Sequence, residues 1–89
     1  MYKVVAAKSF EEDLSKLDAP VRRRIFDKIK FLAENPEFIK KVRYAPKDLQ
    51  GLCKYRIGPW RILFWADHKN NVLILYGVDH RDRIYKNLR

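Results

Sequence analysis

Residues 57–60 read Ile-Gly-Pro-Trp, and this short stretch limits the fold more than any other. The runs on either side, Leu52–Ile57 and Trp60–Asp67, are rich in aromatic and β-branched residues and read as strands. Only Gly58-Pro59 separates them. Glycine at the first central position permits a type II′ turn, and the extended conformation needed there suits a residue that precedes proline. The two strands must therefore form a hairpin. A two-residue turn also fixes the register, setting Ile57 opposite Trp60 and Arg56 opposite Arg61.

Alternation along the first strand puts Cys53, Tyr55 and Ile57 on one face and Lys54 and Arg56 on the other. The apolar set is the natural core face. Register then assigns Arg61 to the cationic face, where the sheet meets water, with Leu63 and Trp65 beneath or beside it. The turn His68-Lys69-Asn70-Asn71 leads into a third strand, Val72–Val78, which completes an antiparallel meander.

The N-terminal half has a different period. Tyr2–Ala7 reads as a strand. Ser9 and Glu12 have the spacing of a capping box, and Phe10, Leu14 and Leu17 follow at helical spacing. Asp18-Ala19-Pro20 marks a second helix start, with aspartate suited to the cap and proline to the first turn. Val21, Ile25, Ile29, Leu32 and Ala33 share one face of that helix. Arg22, Arg23, Lys28 and Lys30 lie mainly elsewhere, and Asn35-Pro36 ends it. Residues 37–51 read as loop with one helical turn near Phe38. The order is strand, αα-hairpin, three-stranded meander within a single domain, residues 1–89. This is an α+β layer with helices on one face of a small sheet and no remaining element to cover the other.

The chain carries 20 Lys and Arg against 11 Asp and Glu, a net charge of +9. So strong a positive field points to nucleic acid, an anionic membrane surface or an acidic protein. Cys53 is the sole cysteine, which leaves no intramolecular disulfide or cysteine-built zinc site and fits a reducing compartment. No stretch has the length of a signal peptide's apolar region or a transmembrane helix, so the expected location is the cytoplasm. Neither histidine has a carboxylate at ligand spacing, and no metal or cofactor is expected.

Chain connectivity brings His80, Arg81, Arg83 and Tyr85 to the end of the sheet. With Lys54, Arg56 and Arg61 they outline a concave basic site with an aromatic ring. Guanidinium forks grip phosphate and rings stack on unpaired bases. Strands would hold such cations rigidly, as stabilisation of a transition state requires. Structural roles account for other residues: Trp60, Phe64 and Trp65 as core, Cys53 as a small core residue, and the cations of the long helix as a solvated face. Lys40, Lys41, Arg43 and Lys47 are further candidates for phosphate contact. Asp79 and Asp82 sit beside arginines and can neutralise them in pairs.

The element order, together with KYRIGPWRILFWAD and VLILYGVDHRDRIY, resembles the RelE/ParE superfamily of type II toxin–antitoxin toxins, in its RelE branch. The resemblance spans nearly the whole chain. It implies a metal-independent, ribosome-dependent endoribonuclease that cuts mRNA in the ribosomal A site and so inhibits translation. The ribose 2′-OH attacks the adjacent phosphorus and the 5′-oxygen leaves. By resemblance, Lys54, Arg56, Arg61, Arg81 and Tyr85 form the catalytic set, with Arg61 and Arg81 on the phosphate and Lys47, His80 and Arg83 as RNA contacts. Arg56 departs from the lysine often found at its position, and arginine stays protonated, so it cannot be the general base. Lys54, Tyr85 and His80 are the alternatives. The implied partners are the ribosome, mRNA and a cognate antitoxin with an acidic or amphipathic binding segment, in a hetero-oligomer with the toxin. Two other readings share the fold: a ParE-like inhibitor of DNA gyrase without nuclease activity, and a non-toxic basic RNA-binding relative.

Overall fold

The computed structural model describes residues 1–41 and 51–84, with Lys41 by its backbone alone. Five strands and two α-helices follow in the order β1 (Lys3–Ala6), α1 (Lys8–Ser15), α2 (Ala19–Glu34), β2 (Lys40–Lys41), β3 (Cys53–Ile57), β4 (Trp60–Asp67) and β5 (Val72–His80), with a 3₁₀ turn at Pro36–Phe38. The sheet order is β1-β5-β4-β3-β2. The meander β3-β4-β5 is antiparallel, as its turns require. β1 lies parallel to β5, with Lys3 beside Val72 and Ala6 beside Leu75.

The β3–β4 hairpin has the expected register, Ile57 opposite Trp60 and Arg56 opposite Arg61. Gly58 has φ +57°, a conformation side chains resist, and a Cβ there would lie 3.0 Å from Nη2 of Arg24. Asp18 caps α2 by accepting from the Val21 amide at 3.2 Å. In the β4–β5 turn, Asp67 accepts from the Asn70 side chain at 2.8 Å and its amide at 3.1 Å, which holds the Asp67 carboxyl below its ordinary range.

Both helices contribute to the main core. Phe10 from α1 and Ile25, Ile29, Leu32 and Ala33 from α2 pack with Cys53, Ile57, Ile62, Phe64, Leu73, Leu75 and Val78. Each fully buried side chain of the Ile, Leu or Phe kind contributes about 1.5–3 kcal/mol.

Three features differ from the sequence reading. First, the capping box does not form. α1 begins at Lys8 with Ala7 as its cap residue and no side-chain cap bond. Ser9 Oγ instead donates to the Tyr76 carbonyl on β5. Second, Lys40–Lys41 forms a strand where loop was expected, pairing Lys40 with Lys54 and Lys41 with Cys53. Third, the face opposite the helices is partly covered. Leu52, Leu63 and Ile84 are buried there, with Trp65 and Tyr76 packed against them. Leu52 precedes β3 and Ile84 follows β5, so the approaches to the meander fold back over it.

A bulge shapes this second face. Leu63 pairs with Gly77 and Phe64 with Leu75, which leaves Tyr76 as the extra residue. Alternation is broken there. Leu75 and Val78 reach the main core, whereas Tyr76 joins the opposite cluster, edge to face with Trp65 at 5.1 Å between ring centres. β1 pairs with β5 only through Leu75. Beyond that point α1 takes over the edge. The Ala7 amide donates to the Leu75 carbonyl at 2.9 Å, and Asp13 Oδ2 accepts from the Val78 amide at 3.1 Å. Burial pushes the Asp13 carboxyl above its ordinary pKa of 3.8, partly offset by the Val78 hydrogen bond and by Lys16. Gly77 makes room: a Cβ there would stand 3.0 Å from Asp13 Oδ2.

Candidate functional site

Arg56 and Arg61 lie beside the tip of the β3–β4 hairpin, with Lys54 further back along β3. Lys54 and Arg56 alternate with the core residues of β3, and Arg56 faces Arg61 across the hairpin. Arg81 arrives from the far strand: its amide donates to the Pro59 carbonyl at 2.8 Å. That bond ties the end of β5 to the turn that also holds the Arg61 head group. Lys54, Arg56 and Arg61 therefore share one face, with the backbone of Arg81 at its end.

Arg61 is less open than expected. Its residue exposure is 8%. Nη1 donates to the Gly58 carbonyl at 2.8 Å and to the Trp60 carbonyl at 2.9 Å. The charge is tolerated in so buried a place because these bonds satisfy one corner of the fork. A guanidinium has five N–H donors, so Nε and Nη2 remain, and neither has an acceptor among the described residues. The head group is held by one edge and presents the other.

The neighbouring carboxylate is diverted. Asp79 lies directly opposite Arg61 on β5. It is held by Arg83, whose Nε and Nη2 reach Asp79 Oδ1 at 3.1 and 3.0 Å. The His80 amide also donates to that oxygen at 2.7 Å. Arg83 is thus engaged in a pair, in line with the neutralising role considered for Asp79. Arg81 is looser. Its Nε stands 3.9 Å from Asp82 Oδ1, and its side chain is 61% exposed.

His80 is half-buried, with its ring edge to face against Trp60 at 5.7 Å between centres. Its Nδ1 lies 3.3 Å from both the Asp82 amide and Asp82 Oδ2. Accepting from the amide needs a bare Nδ1 and fixes the proton on Nε2; donation to the carboxylate needs Nδ1 protonated. Lys47 and Tyr85, both nominated from sequence, lie outside the described residues, as does Arg43.

The sequence reading did not identify Arg83 as the residue that occupies Asp79, although their i, i+4 separation was the available signal. It also did not pair Lys40 with Lys54. Two lysines show no apolar alternation, so nothing in them marked a strand.

Residues 4–85 match the family model described as the ParE toxin of the type II toxin–antitoxin system parDE. No curated protein matches the chain in sequence. Among solved structures, the RelBE2 toxin–antitoxin complex of Mycobacterium tuberculosis is 26% identical over 90% of this chain and 98% of its own, with a TM-score of 0.77. The intact RelBE complex of E. coli is 19% identical over 90% of this chain and 96% of its own, at 0.73. The RelB–RelE complex of Methanococcus jannaschii is 24% identical over 96% and 99%, at 0.69.

Proposed function

The chain belongs to the ParE toxin family of type II toxin–antitoxin systems, within the RelE/ParE superfamily, and from that premise we propose that it is a ribosome-dependent mRNA endonuclease. The observation that carries this reading is the half-engaged Arg61 head group, with the cross-strand carboxylate of Asp79 taken by Arg83 and Arg81 tied to the same turn. A binding-only toxin has no need to keep a buried guanidinium edge clear of an aspartate directly opposite it.

In the proposed reaction the mRNA backbone crosses the hairpin tip. The 2′-oxygen forms a bond to phosphorus as the P–O5′ bond breaks. The 2′-OH proton passes to a base and the 5′-oxygen gains one, leaving a 2′,3′-cyclic phosphate and a 5′-hydroxyl. Nε and Nη2 of Arg61 donate to the phosphate oxygens and stabilise the charge that builds on them. Arg81 reaches the same phosphate from the solvent side and, with its exposed head group, hydrogen-bonds the leaving oxygen, which takes its proton from solvent water. Lys54 and Arg56 add positive potential along the strand. The base is Lys54, Tyr85 or His80; Arg56 stays protonated and cannot serve. Lys47, His80 and Arg83 make RNA contacts beside the scissile bond. An antitoxin partner follows from the family and from the toxin–antitoxin complexes that the chain resembles. A net charge of +9 calls for an acidic or amphipathic binding segment in it, and the pair would reside in the cytoplasm.

Mapping mRNA ends in a translation mixture tests this. Purified toxin should produce new 5′-hydroxyl ends only when ribosomes are present, and Arg81→Ala should abolish them. Translational arrest with intact message would refute the reading. The matched family model is that of ParE, which favours a second reading, inhibition of DNA gyrase without cleavage. A supercoiling assay separates the two. Loss of supercoiling that survives Arg61→Ala and Arg81→Ala would establish the second.

A further inference from the structure

The sheet ends on one side in β1, and among the described residues no strand lies beyond it. We infer that the open edge of β1 is a docking site for an extended acidic segment of the antitoxin, which adds to the sheet as a further strand. The inference deepens the antitoxin reading and rests on it for the class of partner; it does not depend on mRNA cleavage.

Hydrogen bonding is the first argument. In a parallel pair, alternate residues of a strand bond the neighbouring strand. The Lys3 and Ala7 amides donate to the Asn71 and Leu75 carbonyls at 2.8 and 2.9 Å, so the odd-numbered positions face β5. The amides and carbonyls of Val4 and Ala6 therefore point off the sheet, where none of the described residues meets them. A partner strand would supply the other side of that ladder. The opposite edge of the sheet is built differently. There β2 is two residues long and both are lysine, the short charged form that discourages pairing.

Apolar surface is the second argument. Val4 and Val5 lie on opposite faces of β1 and are 39% and 44% exposed. Ile74, beside Val5 on β5, is exposed as well. An added strand with aliphatic residues on both faces would cover the two valines. Charge names the occupant. Lys3 and Lys8 frame this edge, both exposed, on a chain of net charge +9. A second copy would bring like charges together. A nucleic acid has the opposite charge but no peptide groups for Val4 and Ala6. An acidic peptide segment offers both, with carboxylates at its ends for the two lysines. The open edge is four residues long, or about 13 Å at the rise of a strand, so the segment is short.

Amide NMR of the full chain with a synthetic peptide, a run of valines between paired glutamates, tests the assignment. With the peptide at about ten times its Kd, hydrogen exchange at the Val4 and Ala6 amides should slow roughly tenfold. The Val5 amide, already turned toward β5, should change little. Val4→Pro removes an outward donor and leaves the β5 ladder intact, so it should weaken binding roughly 3- to 10-fold. Circular dichroism distinguishes lost binding from lost fold. The double variant Lys3→Glu, Lys8→Glu should bind the peptide roughly 5- to 30-fold more weakly and should instead take a peptide with lysines in place of the glutamates. Free exchange at Val4 and Ala6 while the acidic peptide is bound would sink this surface and leave an acidic antitoxin segment standing, docked elsewhere. No binding by wild type at millimolar peptide would overturn the inference. Equal binding of the lysine peptide by wild type would overturn it together with the acidic segment. Slow exchange at Val4 and Ala6 in the chain alone, with a dimer's mass in sedimentation, would overturn it in favour of a second copy.

Discussion

Asp13 is the residue whose replacement tests how the sheet is closed. Its Oδ2 is the acceptor for the Val78 amide at 3.1 Å, and Val78 is 1% exposed. Alanine at position 13 would strip that amide of its partner where water cannot reach it easily. An unsatisfied buried donor costs about 1–3 kcal/mol, and a midpoint of ~2 kcal/mol lowers Tm by roughly 8–16 °C in a domain of this size. Asparagine gives the opposite outcome. Its carbonyl keeps the Val78 bond and it has no charge to desolvate, so Asp13→Asn should match or exceed wild-type stability at neutral pH. The two also part in their pH dependence. Burial raises the folded-state pKa of Asp13, so the native chain holds that proton more tightly than the unfolded one. The resulting stability is present below the ordinary value of 3.8 and is lost as pH rises through the folded pKa. Asp13→Asn should remove that part of the acid-side slope. Thermal denaturation of the three proteins across the acid range measures both effects. Equal Tm for Asp13→Ala and wild type would refute the edge-cap argument. Equal losses in the alanine and asparagine variants would show that the charge, through Lys16, matters more than the hydrogen bond.

Other expected outcomes concern the hairpin tip. Arg81→Ala should abolish mRNA cleavage while changing stability by less than about 0.5 kcal/mol, because its side chain is 61% exposed; end mapping beside urea denaturation checks both. Arg61→Ala should abolish cleavage and also destabilise by about 1–3 kcal/mol, since two turn carbonyls lose a charged donor. Arg83→Ala should lower cleavage by releasing Asp79 toward Arg61, and adding Asp79→Asn should recover much of it; recovery of rate in the double variant separates this from a lost RNA contact. Gly58→Ala should cost about 1 kcal/mol, because φ is +57° and the new Cβ would meet the Arg24 head group, and a urea midpoint would show it.

Local signals made the meander legible. A two-residue Gly-Pro connection leaves one hairpin register, and the structure has that register residue for residue. The limits of α2 were readable for the same reason, since Asp18 and Asn35-Pro36 act within one helical turn. What the chain did not disclose was decided at long range. Ser9 has the spacing of a capping residue, but 67 residues away the Tyr76 carbonyl offers a partner on an otherwise open sheet edge. The parallel pairing of β1 with β5 spans an even longer stretch of chain and leaves no periodic trace. Tyr76 breaks the alternation of β5 only because a bulge inserts it, and an apolar tyrosine in an apolar strand gives no warning of that.

The same division between local and distant causes separates the two halves of the candidate site. Register alone put Lys54, Arg56 and Arg61 on one face, because side-chain direction in a hairpin is a local property. Whether each cation is available is not local. Arg61 and Asp79 are close neighbours across strands, yet they lie 18 positions apart in sequence. Arg83, only four positions beyond Asp79, takes the carboxylate first. An i, i+4 contact forms with little loop closure, whereas the Arg61–Asp79 contact requires the assembled sheet. The short-range pair therefore determines what the long-range pair can do, and the arginine left without its carboxylate is the one that can turn toward a phosphate. The like-charged cross-strand pair Arg56 and Arg61 disfavours the free fold and favours any anion that reaches it. A chain carrying such a pair has stability set against function at the same positions.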